Sequence, residues 1–372
     1  MSASDPRIRA EVESRHRFAA ELLKHLDREA LLLVDPANVA WVTVGAVSTN
    51  ANDEVDPPAI YLMPSHRWVV CSNLDTQWLF DTDLNGLGFN VKEWSWSFGR
   101  AALISEMVTG RRVASDRPFN GSQLVGAEWA SERQKLTELE LERLRSLGED
   151  LAHCIEATGR NFARGDTEAE VAGQLLHRLV HRGLTPVSIV VSADGRLRKY
   201  RRHAPTMTRV EQTCVIQATA KRYGLHATSS RAVSFGPPPD PLRREMECAC
   251  RWTAVLMAAC VTGAQLADVW DKGMKYLQTT AFEHEWRYMP VGWLTGYRSV
   301  EQWLVPPNAS RALANNTPIV WQGNIGAVTC ADTMLATPDG PRIMTGLEFW
   351  PMKRIKVAGI TVDRPDILIR ES

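Results

Sequence analysis

From Thr137 onward one periodicity dominates the chain. Leu141, Leu144, Leu147, Leu151, Ile155 and Phe162 recur at three- and four-residue spacings with Glu and Arg between them, which predicts a long amphipathic helix. Thr167 and Glu170 then stand in capping-box spacing ahead of Val171, Leu175, Leu176, Leu179 and Val180, a second helix that Gly183 ends. A second helix pair follows. One member opens after the Pro237 to Pro241 turn and runs through Met257; the other starts at Thr262, with Gln265 at capping-box distance, and continues to about Phe282. Strands are read between and after these helices as PVSIVVS, QTCVIQATA, HATSSRAVSF, TPIVWQ and AVTCADTMLAT. The order of helix pair, strand pair, helix pair, strand pair demands an α+β unit. It contains no short-period repeat and hints at an internal duplication.

The residues before this pattern have a different texture. EALLLVD, NVAWVTV, AIYLMP, RWVVCSN and RRVASD read as short strands, with a breaker-rich STNANDEVDPP among them. Helices are expected over Pro6 to Arg28 and roughly Leu74 to Leu84, so this part is an α/β domain. The expected boundary divides the chain into 1–135 and 136–372.

Charge narrows the function classes. The 43 Lys+Arg balance 43 Asp+Glu, which leaves no general cationic field for nucleic acid or an anionic membrane. No run approaches the ~18 apolar residues of a membrane span, and the charged start MSASDPRIRAEVESRHR is not a signal peptide, so a cytoplasmic protein is expected. The 7 cysteines, an odd number scattered from Cys71 to Cys330, fit reduced thiols better than a disulfide framework. The roles of Cys214 and Cys330 stay open. Cys248 and Cys250 form a C-x-C on an expected helix with no partner pair for zinc, and read as buried thiols. Asn308-Ala309-Ser310 is a chance glycosylation sequon.

Several segments in order carry a resemblance: GDTEAE, RHAPTMTRVEQTCVIQATAKRYGLHATSSRAVSFG, GWLTGYRSVE, TPIVWQG and CADTMLATPDGPRIMTG. Together they resemble the pita-bread family, which includes methionine aminopeptidase, aminopeptidase P, prolidase and creatinase. The resemblance implies a creatinase-like amino-terminal domain, a pita-bread domain from about Leu136 and a homodimer.

It also implies a dinuclear metal site, and here the sequence departs from the family. The two Asp ligands align with Gln217 and Thr228, the His with Trp293 in Gly292-Trp293-Leu294, and the two Glu ligands with Gln322 and Ala331. Two divalent cations roughly 3.5 to 4 Å apart are held by bridging anionic oxygens, and these five residues supply no negative charge. No cofactor is therefore expected.

Creatinase, as the resemblance implies, works without metal and uses a His that aligns with His203, and imidazole suits proton transfer near neutral pH. Creatinase's carboxylate positions align with Ser230 and Gln322, so the relay is incomplete. Arg231 and Glu301 match family signature positions. Arg231 is open to two readings, a buried or interface ion pair or a substrate contact; Glu301 is open to a solvated or hinge role, a general base or a substrate contact. The basic group Arg196, Arg198, Lys199, Arg201 and Arg202 before His203 reads as a solvated loop or as an attractor for an anion. Cys330 would be a nucleophile if His203 reached it.

Three functions follow. The first is a metal-independent hydrolase or lyase of a small amide or guanidino-type molecule, with His203 as acid/base and Arg231, Trp293, Glu301 and Gln322 shaping the pocket. The second is a non-catalytic module that binds a peptide or protein, as some pita-bread domains of chromatin and ribosome-associated proteins do. The third is an active Xaa-Pro aminopeptidase with displaced ligands. The partner in the first case is a small molecule or short peptide. The 13 tryptophans, with Trp293, Trp303 and Trp321 near the aligned site, predict aromatic surface in the former metal cleft.

Overall fold

The structure, a computed structural model, describes residues 5–47, 57–119, 121–304, 311–346 and 349–371. Most of the breaker-rich STNANDEVDPP segment and the sequon Asn308-Ala309-Ser310 lie outside the described residues. The chain divides into two compact units, Met1–Lys135 and Leu136–Ser372.

The first unit begins with α1 (Pro6–His25), β1 (Ala30–Leu33), α2 (Pro36–Val42), β2 (Ala59–Met63) and β3 (His66–Ser72). It continues with α3 (Thr76–Asp81), β4 (Asn90–Trp94), α4 (Ala101–Val108), β5 (Val113–Ser115), β6 (Gln123–Leu124) and α5 (Gly126–Arg133). The strands form one mixed sheet in the order β4-β3-β2-β1-β5-β6. NVAWVTV, expected as a strand, is instead helix α2. Asp35 caps it by accepting from the Ala37 N–H at 3.0 Å, and Pro36 at the first helical position fixes φ for a helix start. That local N-terminal chemistry outweighs the β-branched content of the segment.

The second unit opens with α6 (Glu138–Asn161), α7 (Glu168–His181), β7 (Thr185–Ala193), β8 (Thr213–Arg222) and β9 (Leu225–Phe235). A second series follows: α8 (Asp240–Ala259), α9 (Leu266–Gln278), β10 (Gly292–Leu294), β11 (Gln302–Trp303), β12 (Thr317–Ile325) and β13 (Val328–Thr337). Four short strands complete it, β14 (Gly340–Ile343), β15 (Met352–Val357), β16 (Ile360–Pro365) and β17 (Ile367–Arg370). Both expected capping boxes at the first helix pair form. Thr137 and Glu140 exchange side-chain and backbone hydrogen bonds at the start of α6, and Thr167 and Glu170 do so at α7, each cap contributing about 1 kcal/mol.

The capping box expected at Thr262 does not form. Val261 and Gln265 make bridges to Thr337 and Ala312, so this segment is held extended and α9 starts only after Gln265.

The central path of the large sheet runs β11-β10-β12-β13-β9-β8-β7. Its middle is the junction of two hairpins, β8–β9 and β12–β13, which meet at a single register pair, Asp332 opposite Ser229. Side chains alternate between the two faces of each strand. One face packs on α6 and α8, where Trp252, Trp321, Met257 and Cys330 are fully or almost fully buried. The other face carries the positions to which the resemblance assigned metal ligands.

Candidate functional site

The hairpin registers bring those positions together. Gln322 lies directly opposite Ala331 across β12–β13, and Trp293 pairs with Val320 on the neighbouring strand, two residues before Gln322. Across β8–β9, Gln217 lies opposite Ser230 and Thr219 opposite Thr228, so all four share a face.

The polar groups there bond to one another. Gln217 Nε2 donates to Gln322 Oε1 at 2.8 Å, Thr219 and Thr228 hydroxyls are 2.8 Å apart, and Ser230 Oγ accepts from the Ala331 N–H at 2.7 Å while donating to Thr329 O at 2.9 Å. Ser230 thereby joins β9 to β13 where the strand ladder is sparse. The amides and hydroxyls complete each other's hydrogen bonding in pairs. A cation, by contrast, needs several acceptors converging on one point, and a dinuclear pair needs anionic ones.

These residues do not fit the family's metal pair. Gln217, Thr228, Trp293, Gln322 and Ala331 include no carboxylate and no imidazole, and among the described residues no group of three or more His, Cys, Asp or Glu comes together in a way that would hold a metal ion.

Beside the amide pair lies a cavity of about 230 Å³, close to the lower end of small-molecule sites, roughly 300 Å³. Strand residues Ser188, Val190, Gln217, Thr219, Gln322 and Thr329 form its floor. Trp293 and Trp303 form an aromatic wall, their rings edge to face at 5.6 Å. Arg201 and Arg202 also line it, and among the described residues no Asp or Glu does. Arg201 is anchored by Glu285 at 2.9 Å and by the Gly326 carbonyl at 3.0 Å. Trp293 is only 7% exposed, and its indole N–H is buried without a hydrogen-bond partner.

Several expected site residues are placed elsewhere. Arg231 faces away from the cavity, because it alternates with Ser230 on β9. It is fully buried against α6, paired with Glu156 and Asp332 at 3.1 Å each. The ion-pair reading of Arg231 therefore replaces the substrate-contact reading. Glu301 does not line the cavity; its carboxylate accepts the Arg298 N–H at 3.1 Å and closes the loop after β10. His203 sits in the loop between β7 and β8, beside Arg202 but not among the cavity-lining residues. Its Nδ1 lies 3.0 Å from the Ala204 carbonyl, and its Nε2 is buried without a partner.

Trp321 alternates with Gln322 and points to the helix face, donating to Cys260 Sγ at 3.2 Å. Cys330 also lies on the helix face, 3.9 Å from Cys250 Sγ and 3.1 Å from Arg364, so His203 has no path to it as a base. Cys214 is buried, and desolvation pushes its thiol far above the ordinary range.

The cavity also uses residues that were not singled out in the sequence. Ser188 and Val190 follow from the two-residue alternation of β7. Met289, Pro290, Ser299 and Val300 come from connections around β10, where no period marks a facing side chain.

Residues 142–333 match the model of metallopeptidase family M24. Among solved structures, the chain is similar to the prolidase from Pyrococcus horikoshii OT3, with a TM-score of 0.76 at 15% identity over 90% of this chain and 99% of that one. The X-Pro aminopeptidase from Thermotoga maritima MSB8 is similar at a TM-score of 0.75 and 15% identity, over 96% of this chain and 99% of that one. The N-terminal domain of FACT complex subunit SPT16 from Cicer arietinum gives a TM-score of 0.66 at 8% identity, over 91% of this chain and 95% of that one. At such identities the likeness shows a shared fold. No curated protein matches the chain.

Proposed function

The chain belongs to metallopeptidase family M24, and from that membership we propose that it is a non-catalytic relative whose metal cleft has become a binding cleft for a small molecule or short peptide. The observation that carries this reading is the Gln217–Gln322 amide pair at 2.8 Å, which joins two of the positions to which the family resemblance assigns metal-binding carboxylates. Without bridging anions there is no Lewis acid to polarise a peptide carbonyl and no metal-bound hydroxide to attack it. Among the described residues the cavity wall offers no replacement pair of nucleophile and base: its hydroxyls belong to Ser188, Thr219, Ser299 and Thr329, and no described His or carboxylate lines it. What it does offer is an aromatic wall and hydrogen-bonding side chains, the composition of a recognition site.

The lining also bears on ligand class. A guanidinium ligand would meet Arg201 and Arg202 with no carboxylate to receive it, so a guanidino substrate is disfavoured. One observation favours a metal-independent hydrolase as the second reading: the unpartnered Nε2 of His203, one residue from the cavity-lining Arg202. A homodimer in the cytoplasm completes the proposal, and light scattering of the purified protein checks the dimer. Among the described residues no helix is long and apolar enough to cross a membrane.

The test is a turnover screen with Xaa-Pro dipeptides and small amides, with and without added manganese or cobalt and with a chelator control. No turnover in any arm is expected. Metal-dependent hydrolysis would sink the proposal; chelator-insensitive turnover abolished by His203→Ala would transfer it to the second reading.

A further inference from the structure

Among the described residues, the charged side chains that line the cavity, Arg201 and Arg202, are both cationic. Arg202 is exposed at the cavity wall and forms no ion pair or hydrogen bond among the described residues. Arg201 next to it is already satisfied by Glu285 and Gly326, which leaves Arg202 as the cation available to a ligand. Trp293 presents ring surface at the wall, and its indole N–H is buried with no hydrogen-bond partner among the described residues. Among the described residues no acidic side chain lines the cavity to oppose an anion. The rest of the wall mixes apolar residues, among them Val190, Leu197, Met289 and the two tryptophans, with neutral hydroxyl and amide side chains.

We infer that the cleft takes a small carboxylate with an apolar or aromatic body, its carboxylate held by Arg202 and its body packed against Trp293 and Trp303. The planar guanidinium matches a carboxylate in two-point geometry, and such charge-assisted bonds are stronger than neutral ones. Edge and face contacts with the indoles favour a flat hydrophobic group over an extended chain of polar atoms. The inference rests on the binding-cleft reading above and adds the charge and shape of the ligand to it.

Calorimetric titration of the full chain with 3-phenylpropionate, 3-phenylpropionamide and 3-phenylpropylamine separates these contributions, because the three share one body and differ in the head group. The carboxylate should bind on the order of tenfold more tightly than the amide, the amine should bind most weakly, and the carboxylate preference should shrink as salt is raised. Arg202→Met, a change at an exposed side chain, should abolish the preference by weakening the carboxylate far more than the amide. Trp293→Phe should weaken binding of both the carboxylate and the amide. Equal binding of carboxylate and amide, a preference that survives in Arg202→Met, or no binding of any probe would each overturn the inference. Metal content measured on the same sample keeps the two readings apart: bound metal with peptide turnover refutes the binding-cleft reading, whereas head-group indifference without metal refutes only the carboxylate assignment.

Discussion

Replacing Arg231 by Met tests which face of the central sheet carries function. Its guanidinium donates to Glu156 Oε1 from Nε at 3.2 Å and from Nη2 at 3.1 Å. Nη1 reaches Ser229 Oγ and the Ser230 carbonyl at 2.8 Å each and Asp332 Oδ1 at 3.1 Å, and Nη2 reaches the Thr345 carbonyl at 3.2 Å. Methionine fills much of the volume but donates nothing, which leaves two buried acids without their shared cation. Breaking such a pair costs roughly 3 to 5 kcal/mol. Both acids keep some support: Glu156 accepts the Phe349 N–H at 3.2 Å, and Asp332 keeps Arg364 at 2.9 Å and the hydroxyls of Ser229 and Thr345. The loss therefore belongs near the lower end, about 3 kcal/mol, or a fall in Tm of about 6 to 12 °C for a unit of this size.

Chemical denaturation with a matched thermal scan measures the loss, and the double variant with Glu156→Gln should recover part of it by removing one of the two buried acids, the one that keeps only Arg160 at 3.7 Å as an ion-pair partner. Binding of 3-phenylpropionate to folded Arg231→Met should stay within about twofold of the parent, since methionine on the helix face touches nothing in the cavity. Unchanged stability together with lost binding would refute the placement of Arg231 on the helix face.

Three further outcomes follow from the same geometry. Trp293→His should bring no stoichiometric metal to the protein, because four of the five ligand positions still lack a charged or imidazole donor; calorimetric titration with zinc checks it. His226, buried and hydrogen-bonded to the Gly296 carbonyl, has its pKa lowered from 6.5 to about 4, chiefly by desolvation. The folded state thus binds this proton less readily than the unfolded chain. The contribution is present above pH 6.5 and is lost as pH falls towards 4, by about 3 kcal/mol in all, and His226→Asn should flatten that part of the stability–pH curve. Gly148→Ala should destabilise by about 1 to 3 kcal/mol in urea titration, since a Cβ there would stand 2.3 Å from the Met344 carbonyl oxygen.

The fold was legible wherever local chemistry and pattern agreed. Thr137 with Glu140 and Thr167 with Glu170 mark two helix starts by capping alone, and the strands β8, β9, β12 and β13 follow from their apolar runs. It was illegible where a tertiary partner decided the outcome. Gln265 has the spacing of a capping box, yet its bridge to Ala312 delays α9, and no local signal announces that bridge. Arg364 on β16 is fully buried against Cys330 and Asp332, a role that an exposed-looking terminal hairpin does not advertise.

The site shows the same division. The family resemblance pointed to Gln217, Trp293 and Gln322, and the register of their strands brings all three to the cavity. Alternation along β9 could have assigned Arg231 to the far face once Ser230 was taken as inward. The cavity-lining loop residues Met289 and Val300 depend on how the chain returns to the sheet, and a single sequence does not encode that as a period.

The replacement of the metal centre by an amide pair is the claim on which the functional reading stands. Its most direct test is elemental analysis of the protein after equilibration with manganese, cobalt and zinc, run alongside an Xaa-Pro dipeptide turnover assay. The predicted result is substoichiometric metal and no hydrolysis. One or two equivalents of metal per chain with hydrolysis that a chelator stops would contradict it.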